Sequence, residues 1–149
     1  MRPLALLVIF ALILRAAELE RIAPQHFRLS VKSHPDPKPR ERRALSVLLY
    51  CNNRVPQSIT VTTFWIGADF LGGLRLLAAE PHSWTIDTDH NIAYESDSGP
   101  HALIQGWVVT ARDTKTRALF AVKGSSAAFE ALARTPGALP EKPGPIAAK

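Results

Sequence analysis

From Phe27 the chain alternates. Phe27, Leu29 and Val31 are apolar while Arg28, Ser30 and Lys32 are polar, a period of two that puts one row on a buried strand face and the other in solvent. Leu45, Val47, Leu49 and Cys51 repeat the pattern against Ser46, Leu48 and Tyr50, so the second strand has one apolar and one mixed face. Ser58 to Ile66, with Ile59, Val61, Phe64 and Trp65 set among threonines, has the β-branched and aromatic make-up of a central strand. Ala102 to Ala111 is largely apolar on both sides, which predicts a strand covered on both faces. After the polar turn Asp113 to Thr116, Arg117 to Lys123 predicts its hairpin partner, with Ala118, Phe120 and Val122 on one face.

The middle of the chain is less regular. Gly67, Gly72 and Gly73 break the pattern, Leu74 to Ala78 predicts a short strand, Pro81 to Ser83 a turn, and Trp84 to Thr88 and Asn91 to Glu95 two more short strands. His34 to Arg43 reads as a solvated loop, because Pro35, Pro37 and Pro39 cannot join a ladder. Asn52, Asn53 and Pro56 predict a turn. Ser125 or Ser126 can cap a helix that begins at Ala127, on which Phe129 and Leu132 share a face able to dock on a sheet edge. About seven short strands and one C-terminal helix make an all-β chain, an Ig-like β-sandwich.

Both ends read differently from the middle. Met1 to Ala17, with Arg2 before an apolar run from Pro3 to Leu14, has the layout of a secretory signal peptide, and the run is shorter than a membrane-spanning helix requires. Cleavage after Ala16 leaves Leu14 at the −3 position and cleavage after Ala17 leaves Arg15 there, neither a small residue. Residues 135–149 are dense in proline and glycine and predict a disordered tail. The expected organisation is a leader over 1–17, a sandwich domain over 18–134 and a tail over 135–149.

Phe64-Trp65-Ile66-Gly67, Tyr94-Glu95-Ser96, Gly106-Trp107-Val108-Val109 with Arg112-Asp113, and Val122 followed by Ser125-Ser126 and Phe129-Glu130-Ala131-Leu132 mark a second pattern. Over Phe27 to about Leu132 the chain resembles a family of small exported Ig-like sandwich proteins of Verrucomicrobia and related bacteria. The resemblance implies the sandwich fold and brings no active-site residues with it.

Charge adds a limit. The formal net charge of +5 falls to +3 when Arg2 and Arg15 leave with the leader, too little for a dedicated nucleic-acid binder. Cys51 is the sole cysteine, so no intramolecular disulfide supports the fold. Its place in an apolar alternation is that of a small buried hydrophobe, and no cysteine follows the leader to make a lipoprotein.

No catalytic constellation emerges. His82, Asp87, Asp89 and His90 offer metal donors, but their spacing matches no zinc or calcium loop, and a solvated loop is the simpler reading. Gly124-Ser125-Ser126 leads into a helix as a cap does and is no nucleophile elbow. Asp87, Asp89, Glu95 and Asp97 include enough carboxylates for a glycosidase pair, yet nothing holds two of them at a set separation. Trp65 and Trp107 lie in apolar strands and predict core positions, whereas Trp84 has polar neighbours and is the one candidate ligand platform.

The expectation is a non-enzymatic exported module without metal or cofactor, periplasmic or secreted, that acts through contacts with another envelope protein. Its expected contact surface is the basic loop residues Lys38, Arg40, Arg42 and Arg43, together with Trp84. A carbohydrate-binding module using Trp84 is the alternative. Nucleic acid is not an expected partner, a membrane becomes one only through an uncleaved leader, and the oligomeric state is left open.

Overall fold

The computed structural model describes residues 26–35, 43–52, 57–86, 90–101 and 104–146. The alternating segments form β1 (His26–Pro35), β2 (Arg43–Asn52) and β3 (Gln57–Ala68), and the later ones form β4 (Leu74–Ile86), β5 (His90–Asp97), β6 (Ile104–Asp113) and β7 (Leu119–Gly124). A helix, α1 (Ala127–Arg134), and a two-residue strand, β8 (Gly144–Pro145), complete the order. The strands pair antiparallel in two sheets, β1-β2-β5 and β7-β6-β3-β4-β8. Among the described residues the fold is therefore an all-β sandwich with one short helix, as the periodicity predicts.

Register decides what lies between the sheets. Leu45, Val47, Leu49 and Cys51 of β2 face Ile59, Val61 and Trp65 of β3 and Trp107, Val109 and Ala111 of β6, all buried in one cluster. Trp65 and Trp107 sit opposite each other across the β3–β6 ladder. At one side of the sandwich Phe27 of β1 stacks on Phe120 of β7, with ring centroids 4.6 Å apart, and closes the core with hydrocarbon. The opposite side, between β4 and β5, is closed by polar and aromatic groups described below.

The middle of the chain departs from the expected short pieces. Leu74 to Ile86 is one strand, with Pro81 opposite Thr62 inside it. β8 pairs only with Arg75 and Leu76, so among the described residues the rest of β4 is a sheet edge, where a residue without an N–H breaks no ladder. The register also slips between Trp65 and Ile66, so Leu77 is an extra residue between Leu76, opposite Ile66, and Ala78, opposite Trp65. A bulge of this kind exchanges the two faces of a strand. Leu74 and Leu76 lie on the outer side, while Glu80, His82 and Trp84 face the space between the sheets.

A second core lies on the outer face of the larger sheet. Ser126 caps α1 by accepting the Phe129 N–H at 3.3 Å. Phe129, Leu132 and Ala133 pack with Ile66 and Val108. The helix thus covers a sheet face and not the expected edge.

The segment expected to be a disordered tail is the larger correction. Ala138 is buried, Leu139 and Ile146 join the same cluster, and the Ile146 N–H donates to the Leu74 carbonyl at 3.0 Å. Residues 135–146 are a strap that ends as an edge strand beside β4. Proline and glycine weaken regular structure, yet three apolar side chains spaced along the segment find an uncovered sheet face to bury against. Deleting residues 136–149 is expected to cost about 2 to 3 kcal/mol, read as a lower urea midpoint; an unchanged midpoint would contradict the packing.

The leader over 1–17 and the loop residues Lys38, Arg40 and Arg42 lie outside the described residues, as do residues 53–56, Asp87 and Asp89. Among the described residues no helix is long and apolar enough to cross a membrane.

Candidate functional site

The turn between β3 and β4 is short and tightly bonded. Asp69 accepts the N–H groups of Leu71 at 2.9 Å and Gly73 at 2.7 Å through one carboxylate oxygen. Its own N–H donates to the Gly73 carbonyl at 2.8 Å, and the Gly72 N–H donates to the Asp69 carbonyl at 3.2 Å. Gly72 has φ +82°, and a Cβ on Gly73 would press on the Asp69 carboxylate. The backbone at Gly72 therefore favours glycine, and a side chain at Gly73 would have to move the Asp69 carboxylate that bonds the turn.

What the turn presents is apolar. Phe70 is 105% exposed and Leu71 97% exposed, two adjacent large side chains standing off a turn that four hydrogen bonds hold. Single exposed hydrophobes are ordinary, but a projecting pair on a pre-organised turn has the form of an interface anchor. Sequence reading passed over it. The signal was there in Asp69-Phe70-Leu71-Gly72-Gly73, a bulky apolar pair inside a glycine-marked turn.

The side of the sandwich between β4 and β5 is a polar seam. The Ser96 hydroxyl donates to Glu80 at 2.6 Å, and the other Glu80 oxygen lies 2.9 Å from His82 Nε2. The His82 ring is 4.9 Å from Tyr94 and 5.8 Å from Trp84, and Trp84 is 5.7 Å from Tyr94. Tyr94 and the fully buried Thr63 share a hydrogen bond of 3.1 Å. Burial pushes the Tyr94 phenol up to about 12, against the Thr63 bond and with the help of Glu80. It is neutral wherever the protein is folded near neutral pH.

These contacts place the predicted residues. Trp84 is half-buried, packs against the main core and has His82 and Tyr94 as ring neighbours. It closes the seam, and this partial cover makes it a poorer platform than its polar neighbours suggest. Arg43 starts β2, where its N–H donates to the Ser98 hydroxyl at 2.8 Å and its carbonyl accepts the Ser98 N–H at 2.9 Å. Both bonds use the Arg43 main chain and tie the end of the β2–β5 ladder. His82 meets Glu80, and among the described residues no group of three or more metal donors gathers.

Two further groups of polar side chains stand away from the seam. On the outer face of the smaller sheet, Ser46 donates to Glu95 at 2.7 Å and lies 2.6 Å from His34 Nε2. The hydroxyl proton is already directed at Glu95, so His34 donates to the serine oxygen, the reverse of what a general base must do. Ser125 accepts the Trp107 N–H at 3.1 Å and returns its own N–H to the Trp107 carbonyl at 3.0 Å. Cys51 is buried, and burial pushes its thiol up to about 11, away from the nucleophilic thiolate.

No family model matches the sequence, and no curated protein does. Among solved structures, β-glucuronidase 2 of Bacteroides uniformis is similar over 67% of this chain and 14% of its own, at 16% identity and a TM-score of 0.47. The GH3 β-glucosidase of Bifidobacterium adolescentis is similar over 67% of this chain and 17% of its own, at 11% identity and a TM-score of 0.43. The chain thus spans less than a fifth of either enzyme, and what those enzymes act on belongs to their own chains.

Proposed function

We propose that this chain is a non-enzymatic, exported β-sandwich module that docks on another envelope protein through the β3–β4 turn. The observation behind the reading is the exposure of Phe70 and Leu71 on a turn bonded by Asp69. Burying two such side chains is worth about 3 to 6 kcal/mol before the costs of association. A turn that is already rigid gives up little entropy on docking. Export rests on the leader pattern of Met1 to Ala17. The basic residues Lys38, Arg40, Arg42 and Arg43 can add long-range attraction, which acts on encounter rate more than on affinity. Trp84 gives the carbohydrate alternative weaker support, being half-buried within the seam.

Photo-crosslinking from position 71 in intact cells tests the reading. A discrete protein adduct is expected, absent when the crosslinker is moved to exposed Lys123, and reduced about tenfold or more by Phe70→Ser. Phe70→Ser should leave stability within about 0.5 kcal/mol, as exposed positions do. Equal adducts from both positions, or binding to protein-free lipid vesicles that Phe70→Ser abolishes, would overturn docking on a protein.

A further inference from the structure

A cleft of about 680 Å³ opens where the end of α1 and the following strap pass over β3, β6 and β7. Phe64, Leu119 and Leu139 line it with hydrocarbon, and three arginines, Arg112, Arg117 and Arg134, are also among its lining residues. It lies toward the β6–β7 turn, at the other end of β3 from the Phe70-Leu71 turn.

Arg112 is the central group. Nη1 donates to the Arg117 carbonyl at 3.0 Å and Nη2 to the Ala133 carbonyl at 3.2 Å. Its Nε–H and one hydrogen on each terminal nitrogen have no partner among the described residues. The nearby helix carbonyls make no demand on them, since Leu132 accepts the Thr135 N–H and Ala131 the Thr135 hydroxyl. Arg117 is bound at 2.8 Å by Glu141, an exposed pair that a ligand can displace. Three cations thus face one internal carboxylate beside hydrocarbon.

We propose that this cleft binds a small ligand whose carboxylate is held by Arg112 with Arg117 and Arg134, and whose apolar body lies on Phe64, Leu119 and Leu139. Planar guanidinium groups match a carboxylate through paired, charge-assisted hydrogen bonds. The volume suits a ligand of drug-like size. Burial and repulsion from Arg117 hold the Arg112 guanidinium below its ordinary value, a strain that an incoming anion relieves. The inference goes beyond the docking reading and does not depend on it.

The test is titration of the full chain with phenylbutyrate and, in parallel, phenylbutanamide, followed by calorimetry and amide chemical shifts. The acid should bind about tenfold or more tightly than the amide, with shifts centred on Gly137 and Leu139. Arg112→Gln should weaken the acid by a similar factor; because Arg112 also holds α1, the exposed Arg134→Gln is measured beside it and should weaken binding without lowering the melting point. Glu141→Gln should tighten the acid by about two- to fivefold, a gain that no loss of structure imitates. The tripeptide Ala-Ala-Phe with a free C terminus should bind more tightly than phenylbutyrate if the natural carboxylate is a peptide end, and more weakly if it is a small acid. Absence of binding by any of these acids, equal affinity for acid and amide, or weaker binding by Glu141→Gln would overturn the proposal.

Discussion

Truncating Trp107 to alanine is expected to cost about 3 to 5 kcal/mol, against about 1 to 2 kcal/mol for Trp84→Ala. Trp107 is 6% exposed and lies inside the main cluster, opposite Trp65 and on the same face as Val109 and Ala111. Strands on both sides of β6 hold the backbone at this position, so the cavity cannot collapse easily. Trp84 lies on the edge strand β4, half-buried, with His82 and Tyr94 able to close over the gap. A loss of 3 to 5 kcal/mol is a large part of the roughly 5 to 15 kcal/mol that a domain has. Trp65 is a less clean probe, because its indole N–H is buried without a partner among the described residues and its removal also relieves a polar cost. Urea denaturation of the two variants compares them directly at equal m-value. A larger loss for Trp84→Ala would mean that the seam, and not the paired tryptophans, carries the core.

Where one residue's environment is set by its near neighbours, the pattern was enough. The alternation in β2 named Leu45, Val47, Leu49 and Cys51 as its apolar face, and the sheets bury them. A cap at Ser125 or Ser126, of which the structure uses Ser126, was readable, as was the β6–β7 turn as a hairpin, both decided within a few residues. Pro81 misled, because whether proline breaks a strand depends on the strand being central or at an edge, a property of topology. The bulge at Leu77 left no local mark, yet it sends Glu80 and His82 inward. The strap from Thr135 to Ile146 was unreadable for a similar reason: its composition is that of a tail, and only the uncovered face of β3 and β6 gives Leu139 and Ile146 a place to go. The arginine cleft joins residues more than twenty positions apart, so no window along the chain contains it.

Gly106→Ala is expected to destabilise the fold by about 3 kcal/mol, although two effects oppose each other there. Gly106 lies in β6 at a backbone conformation open to any residue, and a glycine-to-alanine change at such a site normally stabilises by about 0.4 to 1 kcal/mol through the unfolded chain. Against this, an added methyl would fall on the Phe129 ring and the Ser125 hydroxyl. Phe129 cannot swing away without leaving the second core, and Ser125 is fastened to Trp107 by hydrogen bonds of 3.0 and 3.1 Å. The contact term is therefore the larger. Phe129→Ala alone should cost about 2 to 4 kcal/mol, since it empties the same spot from the other side. In the double variant the new methyl has room, so the combined loss should be smaller than the sum by at least about 1 kcal/mol. A double-mutant cycle in urea measures that coupling. Additive losses, or a gain in stability for Gly106→Ala alone, would show that α1 does not rest on β6 at this glycine.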